Sequence, residues 1–530
     1  MPASNIQDII GNFVDGQVVT ANTMPYALNP KLENIRSVVN DHATRIDTLT
    51  SQVSGLGGLL YNVVTYGADP TGVTDSTTAI QNTINAAIAQ QGIVVFSNGI
   101  YKISNELTVA GTCYITSDGA GQGVTIYQTA GTKAVFTITS SYVRITDLKL
   151  DMRSSTMAGA SAIQANSPSI STLYGIFVQR CQIYTTVPST PINGIYYRKV
   201  VGGAITDCSI IGEATYTSLG IQLIDVTNVL VSRNTLSVLQ QAITMTYGAS
   251  AVATANQNVI IEQNVVGNIK TNMFSISYTT SIFIEKNTMS TLTGTATVYS
   301  CISFATCAQV NIYDNIFNHS VSAIAYYHRG LLFASTSYII IARNYFLYGG
   351  YSIEATTTIS YAQILNNYIL EPNHLAIYLG VSKSCVVSGN TITDCWSNTL
   401  STVALQIISG TACTVTGNIL TTGTKSATYV NSKFLRTPAA FVSVLLDGND
   451  FSAATTPAID TSYFNVHFVE PTGKRVYYSP TGAAPTSLSQ SFSTGDKVLV
   501  ATPAAGGYTG YVCTAPGAPG TWKGFGDVQP

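Results

Sequence analysis

The most regular feature of the chain is a repeated pattern of apolar and polar positions between Val229 and Thr421. Eight segments place β-branched residues first, then two polar residues, an asparagine and another apolar residue; their asparagines are Asn234, Asn264, Asn287, Asn315, Asn344, Asn367, Asn390 and Asn418. Successive asparagines are 30, 23, 28, 29, 23, 23 and 28 residues apart. A self-similar period of this size indicates a stacked repeat.

The repeated unit is a strand followed by a turn, because Val, Ile and Thr alternate with polar residues and no 3.6-residue periodicity is present. The pattern therefore predicts an all-β fold, a single-stranded parallel solenoid. A right-handed parallel β-helix is favoured, because a coil of this length holds about three short strands and three turns. The asparagine is expected in the left-handed conformation of a tight corner, bonded to backbone groups and to the asparagine above it.

The same alignment extends the array in both directions. It places Cys181 and Cys208 at the asparagine position, Leu148 before them, and Gly448 or Asn449 at the far end. These positions make about twelve rungs, which at roughly 4.8 Å each predict a rod about 55–60 Å long.

A pattern of helical period precedes the rod. Its members are spaced 3, 4, 3, 4, 3, 4 and 3 residues apart, and they are Leu32, Ile35, Val39, His42, Ile46, Leu49, Val53 and Leu56. This spacing is typical of a short coiled coil, and a lone helix of that length is marginal in water. We therefore expect partner strands and assign 1–58 to an N-terminal segment ending in this coil.

A second, amphipathic helix is predicted at the start of the β-helix, with Ile80, Ile84 and Ile88 on its apolar face. Asp75 or a neighbouring hydroxyl is expected to cap its N-terminus, and Asp69 belongs to a turn. The helix is expected to cover the open apolar end of the tube. We assign 59–111 to this entry and 112–460 to the body of the β-helix.

The run from Tyr61 to Ser104 carries a family resemblance. Its segments YGADPTG and TDSTTAIQ and its strand pair VVFSNGIYKIS resemble the opening of the pectate-lyase-like right-handed β-helix in tailspikes of tailed bacteriophages. The resemblance implies a homotrimer, and attachment of 1–58 to phage tail or baseplate proteins. The family includes lyases, hydrolases, esterases and proteins with no known activity, so the resemblance bears on fold more than on chemistry.

The last part of the chain, 461–530, is rich in Gly, Pro and aromatic residues, which predicts a small β module of short strands and many turns. It resembles a module that often ends phage tailspikes and prophage fibre proteins. Tyr511 and Trp522 form either a sugar platform or the core of a module too small to have another core.

Composition narrows the choice of partner. Charged residues make up 9% of the chain, against about 25% in ordinary globular proteins. The net charge of −2 argues against nucleic acid or an anionic membrane as the main partner. Hydroxyl, amide and aromatic surface suits a glycan or another copy of the chain. No apolar run reaches the roughly 18 residues of a membrane span, and 1–17 does not match a signal peptide, so folding in a cytoplasm is expected.

Cysteine and histidine usage gives little support to metal or nucleophile chemistry. The nine cysteines contain no CxxC pair and are expected to be mostly buried thiols, with Cys385 and Cys413 stacked inside the tube. No strong metal motif is present, and we expect no cofactor. The rungs lack the clustered aspartates of a calcium-dependent pectate lyase, and five histidines without GxSxG favour no Ser-His-Asp site.

Candidate chemistry lies on the outer wall, because side chains alternate inward and outward along each strand. Glu262 and Glu285 are predicted to point outward at equivalent positions on successive rungs, with backbones about 4.8 Å apart. Two carboxyl groups that close can act as an acid and a base. A separation of about 5–5.5 Å suits retaining glycoside cleavage, and about 6.5–9.5 Å suits inverting cleavage. Asp314, one rung further and one residue later, gives a wider spacing to Glu285.

Residues around this strip are candidates for holding a polysaccharide; they are Arg233, Lys286, Tyr313 and Arg343, with Tyr327 in the group Tyr326 to Arg329. Packing between subunits is the alternative for that group. Carboxylates beside Lys and Arg on a sheet are also commonly solubility and pairing devices. Other acids that remain open as catalysts in loops or between subunits are Asp147, Asp151, Glu213, Asp225, Glu354, Glu371 and Asp394.

The sequence therefore favours a phage tailspike that binds and depolymerises a bacterial capsule or O-antigen, as a glycoside hydrolase rather than a lyase. It would reside in the virion tail after assembly in the host cytoplasm and act at the bacterial surface. A non-catalytic receptor-binding or structural fibre is the alternative. A bacterial or prophage adhesin would need an export signal, which the N-terminus does not resemble.

Overall fold

The computed structural model describes 37, 40, 41, 44, 59–119, 123–153, 160–166, 171–185, 192–213, 218–248, 256–292, 299–318, 328–397, 402–423, 429–431, 433–437, 444–454, 459–461, 466–469, 474–479, 483–484, 492–500 and 503–529. Ser37, Asn40, Asp41 and Thr44 are helical and exposed. The apolar heptad positions of the predicted coiled coil lie outside the described residues.

The entry region combines short strands with one helix, in the order β1 (Leu60–Asn62), β2 (Thr71–Asp75), α1 (Thr77–Gln90), β3 (Ile93–Phe96), β4 (Gly99–Ile103) and β5 (Leu107–Val109). The first coils of the body follow as β6 (Cys113–Ser117), β7 (Val124–Gln128), β8 (Phe136–Ile138), β9 (Val143–Thr146), β10 (Lys149–Met152), β11 (Ser161–Ala165), β12 (Leu173–Tyr174), β13 (Ile176–Gln179) and β14 (Gln182–Thr185).

The most regular coils come next, as β15 (Asn193–Arg198), β16 (Val200–Thr206), β17 (Ser209–Ile211), β18 (Leu219–Ile224), β19 (Thr227–Ser232), β20 (Thr235–Leu239), β21 (Gln241–Thr246), β22 (Asn256–Glu262), β23 (Val265–Ile269), β24 (Phe274–Ser277), β25 (Thr279–Glu285), β26 (Thr288–Leu292), β27 (Ser300–Ala305), β28 (Ala308–Tyr313) and β29 (Ile316–Asn318).

The remaining strands are β30 (Arg329–Ala334), β31 (Ser337–Ala342), β32 (Tyr345–Leu347), β33 (Tyr351–Leu365), β34 (Tyr368–Leu370), β35 (Leu375–Ser388), β36 (Thr391–Thr393), β37 (Trp396–Ser397), β38 (Val403–Thr416), β39 (Ile419–Thr421), β40 (Tyr429–Val430), β41 (Lys433–Thr437), β42 (Val444–Asp447), β43 (Ile459–Thr461), β44 (Val466–Val469), β45 (Arg475–Ser479), β46 (Lys497–Val500), β47 (Tyr508–Ala515) and β48 (Thr521–Asp527).

Each regular coil contributes three strands that pair in parallel with the next coil. The first two belong to a 32-stranded sheet, as in the successions β15, β18, β21 and β16, β19, β22. The third belongs to a separate 14-stranded sheet that runs from β2 to β39. The predicted all-β parallel solenoid is confirmed. The 14-stranded sheet has more strands than the twelve rungs that we expected. The difference arises because β2, β4 and β7 belong to coils that precede Leu148, the first position aligned in the sequence.

Inward side chains form one continuous apolar core from Val63 to Leu446. Aromatic rings stack between coils inside it, with centroids 4.8 Å apart for Phe304 and Phe333. All nine cysteines are buried and free, and Cys385 lies opposite Cys413 as expected. Stacking of like side chains on successive coils therefore continues through the interior.

Helix α1 packs on the first coils through its buried residues Ile80 and Ile84. The Asp75 carboxylate accepts the Thr77 N–H at 2.8 Å, although the N-cap residue Ser76 makes no capping hydrogen bond with its own side chain. The Asp69 carboxylate accepts the N–H groups of two residues of the same turn, at 2.8 and 2.9 Å. Both aspartates therefore have a structural role, Asp75 at the start of the helix and Asp69 in the turn before it.

The recurring asparagines form a continuous hydrogen-bond ladder inside the tube. From Asn234 to Asn418, the N–H and Nδ2–H groups of each asparagine donate to Oδ1 of the next, at 2.9–3.1 Å. The last acceptor is Asn449, and the first Oδ1 accepts the N–H of Cys208. The ladder confirms the predicted column, and it assigns the far corner to Asn449 rather than Gly448.

The predicted left-handed conformation of these asparagines is wrong by one residue. The residue before each column member has positive φ, as in Arg233 (56°) and Asn366 (53°), while the ladder asparagines themselves do not. The full set of these corner residues is Asp147, Arg180, Asp207, Arg233, Gln263, Lys286, Asp314, Arg343, Asn366, Gly389, Gly417 and Gly448. The corner residue turns the chain outward, so the asparagine that follows points into the tube. We call this set the corner column.

The C-terminal module has a small core of its own, formed by Tyr477, Phe492, Val498 and Cys513. Its strands β46, β47 and β48 pair in antiparallel fashion. Tyr511 and Trp522 pack against this core, and the Trp522 indole N–H donates to the Pro519 carbonyl at 2.9 Å. Of the two alternatives for these rings, the structure favours the core.

The adjacent residues Asn366 and Asn367 provide a matched test of the ladder. Replacing Asn367, which is buried, with glycine removes an acceptor for Asn344 and a donor to Asn390 and to the Ile341 carbonyl. We expect the free energy of unfolding to fall by roughly 2–4 kcal/mol, because buried backbone groups lose their partners. Asn366→Gly should change it by less than about 0.5 kcal/mol, since glycine suits positive φ. Equal effects in denaturant titrations would contradict the ladder.

Candidate functional site

The two glutamates predicted as a pair occupy directly opposed positions on neighbouring coils. Glu262 ends β22 and Glu285 ends β25, and the sheet register places them opposite each other. On the next coil the opposed residue is Tyr313. Because Ile261 belongs to the core, the glutamate that follows it is directed outward. The predicted adjacency and direction of the glutamates therefore agree with the structure.

The glutamates are more enclosed than a strip on an open sheet would be. Glu262 is 8% exposed and Glu285 is 6% exposed. Two positions earlier in their strands lie Ile260 and Phe283, which are also buried and do not belong to the inner core. The carboxylates thus lie in a shielded part of the outer wall with apolar neighbours.

Polar contacts connect Glu262 to the preceding coil. The Ser232 hydroxyl donates to Glu262 Oε1 at 3.2 Å, and Arg233 Nη1 donates to the Ser232 hydroxyl at 3.3 Å. At the other end of the row, burial raises the pKa of Tyr313, whose hydroxyl lies 3.4 Å from the side-chain oxygen of Asn311. The row therefore joins two carboxyl groups to a serine and a protonated tyrosine.

The other predicted site residues lie on the corner column beside this row. Arg233 pairs with Asp207 and Arg343 pairs with Asp314, with closest N to O distances of 2.7 and 2.8 Å. The Arg343 guanidinium also lies 5.3 Å from the Tyr313 ring centroid. Lys286 is exposed on the same column. Tyr327 lies outside the described residues.

The corner column carries three acid–arginine pairs that the alignment of coils in the sequence did not predict. Asp147 pairs with Arg180 on the next coil, as Asp207 does with Arg233 and Asp314 with Arg343. Each arginine donates from two nitrogens to both carboxylate oxygens. The sequence did contain a signal for these pairs: an acid precedes the asparagine position of one coil, and an arginine precedes the equivalent position of the next coil. These pairs link neighbouring coils at the surface.

Most of the remaining acids have structural partners. Asp151 pairs with Arg153, and Asp225 and Asp394 accept the backbone N–H groups of Gly248 and Gly423 at 3.1 and 2.7 Å. Glu371 and Asp394 also have positive φ, as residues of turns do. Glu354 differs, because it forms a buried ion pair with Arg329.

No described part of the chain brings together three His, Cys, Asp or Glu side chains as a metal ion would require. Among the described residues, no helix has the length and apolarity needed to cross a bilayer. The row itself presents carboxyl, hydroxyl and phenol groups.

Two family profiles cover most of the rod. A profile described as rhamnogalacturonase A/epimerase, pectate lyase-like, matches 60–269, and one described as right-handed beta helix region matches 300–462. The rod is a right-handed parallel β-helix, and its part 60–269 is similar to the pectate-lyase-like profile. This confirms the expected fold and its handedness, and Glu262 lies within the pectate-lyase-like part while Asp314 lies within the second match.

The solved structures to which this chain is similar are distant from it. An alpha-1,3-glucanase catalytic unit from Streptomyces thermodiastaticus is 16% identical, covering 79% of this chain and 71% of its own (TM-score 0.45). Tailspike protein 3 of bacteriophage CBA120 is 14% identical, covering 88% and 70% (TM-score 0.41). The A-module of a mannuronan C-5 epimerase from Azotobacter vinelandii is 17% identical, covering 76% and 99% (TM-score 0.40). A search of curated proteins found no match.

The electrostatics of the corner column predict how the β-helix responds to acid. Partial burial acts to raise the pKa of Asp147, but hydrogen bonds from Arg180 and Thr146 act in the opposite direction and prevail, so that this pKa lies below its usual value. The folded state thus binds a proton at Asp147 less readily than the unfolded chain does.

The contribution of Asp147 to stability should therefore be present above its unfolded pKa of about 4 and be lost as the pH falls through its lower folded pKa. We expect Asp147→Asn to lower the melting temperature at about pH 6 and to have little effect near pH 2. Thermal unfolding of the two proteins across this range measures the difference. A difference that stays constant with pH would contradict the pairing.

Proposed function

We propose that the chain is a bacteriophage tailspike whose β-helix binds and depolymerises a bacterial surface polysaccharide by glycoside hydrolysis. The observation that carries the proposal is the direct register of Glu262 and Glu285 on neighbouring coils. The matching profile over 60–269, described by the name rhamnogalacturonase A/epimerase, supports a polysaccharide as the substrate class. The uncharged polar and aromatic composition supports the same class.

In the proposed mechanism the two glutamates divide the roles of acid and of nucleophile or base. Opposed residues on neighbouring parallel strands have backbones about 4.8 Å apart, which suits the short carboxyl separation of retaining cleavage. The Ser232 hydroxyl donates a hydrogen bond to Glu262. The environments of the two carboxyl groups therefore differ. Asp314, one coil further, offers the wider spacing to Glu285 that inverting cleavage requires.

Residues around the row would hold the glycan chain. Tyr313 continues the row beyond Glu285, and its ring contacts Arg343. Arg233 reaches the row through Ser232. Lys286 borders it on the corner column, and Tyr327 is proposed from the sequence alone. In this arrangement the glycan crosses successive coils along the row.

Cleavage is tested by sizing host capsule or O-antigen after incubation with the protein. We expect Glu262→Gln and Glu285→Gln each to slow cleavage by about 10²–10⁴-fold, the usual contribution of an acid or base. Glu106→Gln is the matched control, because Glu106 lies on another coil and contacts Thr137 and Lys133. If both glutamate variants cleave at the wild-type rate, Glu262 and Glu285 are excluded as the catalytic site, although the protein remains a depolymerase.

A non-catalytic receptor-binding or structural fibre is the second candidate. The low exposure of both glutamates favours it, since a substrate must reach carboxyl groups that are 8% and 6% exposed. If the wild-type protein shortens no glycan of its host yet binds host cells, the second candidate is correct.

We also propose that the chain assembles as a homotrimer through the 14-stranded sheet. The strands β23, β26, β29, β32, β34, β36 and β39 contain no charged residue. Their first outward positions are in register along the rod, and four of these seven positions hold exposed large apolar residues: Val265 (52%), Ile316 (39%), Tyr345 (53%) and Ile419 (41%). A long exposed apolar stripe without charges is typical of a contact between subunits.

Lysines in this stripe should prevent assembly, because they would be buried without partners. We expect the double variant Ile316→Lys/Tyr345→Lys to be monomeric in analytical ultracentrifugation, and the wild type to be trimeric. Tyr361→Lys is the control, since Tyr361 is 52% exposed but lies on a different sheet. A trimeric double variant would exclude this face as the contact, and a monomeric wild type would exclude the trimer.

A further inference from the structure

A group of polar and aromatic side chains lies apart from the glutamate row, on the outward side of β30, β33 and β35. Arg329 lies opposite Tyr351 on the next coil, and Glu354 lies opposite Tyr378 on the coil after that. His374 immediately precedes Leu375, the residue opposite Tyr351. Three neighbouring coils therefore bring two charged groups, two phenol rings and an imidazole to one part of the wall.

The ion pair in this group is buried, unlike the pairs of the corner column. Arg329 Nε donates to the Glu354 carboxylate, and the two side chains are 14% and 8% exposed. In the corner column, by contrast, the Arg180 and Arg343 side chains are 50% and 54% exposed. Removing two charges from water costs free energy that their attraction often does not recover. Holding these two coils in register does not require this cost, because the asparagine ladder already links them.

Tyr351 is the centre of the group. The Arg329 guanidinium lies 5.8 Å from its ring centroid, His374 lies edge-on at 5.3 Å, and Tyr378 lies edge-on at 6.3 Å. A tyrosine ring offers an apolar surface to the C–H groups of a sugar and a hydroxyl to its polar atoms. The arrangement resembles a binding site in which a few fixed polar groups surround aromatic surface.

His374 has hydrogen-bonding capacity that the described residues leave unused. Its Nδ1 atom is buried and has no hydrogen-bond partner among them. Burial and the charge of Arg436 lower the pKa of His374, so the imidazole is neutral near pH 7. Arg436 lies two coils beyond Tyr378 in the same outward row and is exposed. An unsatisfied imidazole nitrogen in the field of a nearby arginine is suited to an anionic group of a ligand when Nδ1 carries the proton.

We propose that Tyr351, His374, Tyr378 and the Arg329 and Glu354 pair form a second glycan site, which binds an acidic sugar unit. The sugar ring packs against Tyr351 and Tyr378, Glu354 and Arg329 bond its hydroxyls, and its carboxylate accepts hydrogen bonds from His374 and Arg436. This inference rests on the proposed binding of a polysaccharide, and it does not depend on cleavage by Glu262 and Glu285.

The test uses calorimetric titration of the full chain with a hexamer of galacturonic acid and with the methyl ester of the same hexamer. We expect the acid to bind at least about tenfold more tightly than the ester, since charge-assisted hydrogen bonds are lost in the ester. Arg436→Gln and Tyr378→Ala should each weaken binding of the acid about tenfold. Arg180→Gln, an arginine of the corner column, should leave it unchanged.

Equal affinity for acid and ester, unchanged binding in Arg436→Gln, or no binding by the wild type would each overturn the site. The double variant Arg329→Gln/Glu354→Gln removes the buried pair without leaving one charge alone, and it should also bind about tenfold more weakly. Glu106→Gln, which lies away from both proposed glycan sites, should bind the acid as the wild type does. If the wild type binds the acid as expected but neither it nor any variant cleaves a glycan, the proposed hydrolysis is contradicted and the second glycan site still stands.

Discussion

The architecture depends on the satisfaction of buried polar groups at one corner of the tube. A chain that turns inward at every coil leaves backbone N–H and C=O groups away from water, where each unpaired group is costly. The asparagine ladder pairs them, because each side-chain amide accepts two N–H groups and donates to a carbonyl of the preceding coil. The ladder therefore links every coil from Asn234 to Asn449 to its neighbours, and it fixes their register.

The corner column follows from the same geometry on the outside. A residue with positive φ must precede each ladder member, and its side chain lies at the outer edge of the coil. Several positions there carry acids and arginines that pair between coils at the surface, where such contacts contribute little individually. The glutamate row and the group around Tyr351 differ from this pattern, since their charged groups are buried. Among the buried acids in the described part of the chain, Glu262, Glu285 and Glu354 belong to these two groups, where the cost of removing a carboxylate from water must be offset.

The candidate site was partly accessible from the sequence. Counting from the asparagine to the glutamate two residues before it put Glu262 and Glu285 opposite each other, because the register of stacked coils is uniform there. The same counting placed Asp314 one residue later, and the structure shows what that difference means: Asp314 is on the corner column and pairs with Arg343. Exposure could not be counted, since it depends on how neighbouring side chains pack on the wall. The Arg329 and Glu354 pair was not predicted, because neither residue belongs to the repeated segment from which the register was counted.

The sequence by itself determined the parallel solenoid and the column of asparagines, because both repeat with the period of the coil. The entry helix followed from its own apolar face, and the β-helix family from the resemblance of Tyr61 to Ser104. Only the tertiary structure decided which residue of the corner has positive φ, how many coils precede Leu148, which charges are paired and how deeply the glutamates are buried. These features arise from contacts between coils whose lengths vary, so no single period in the chain encodes them.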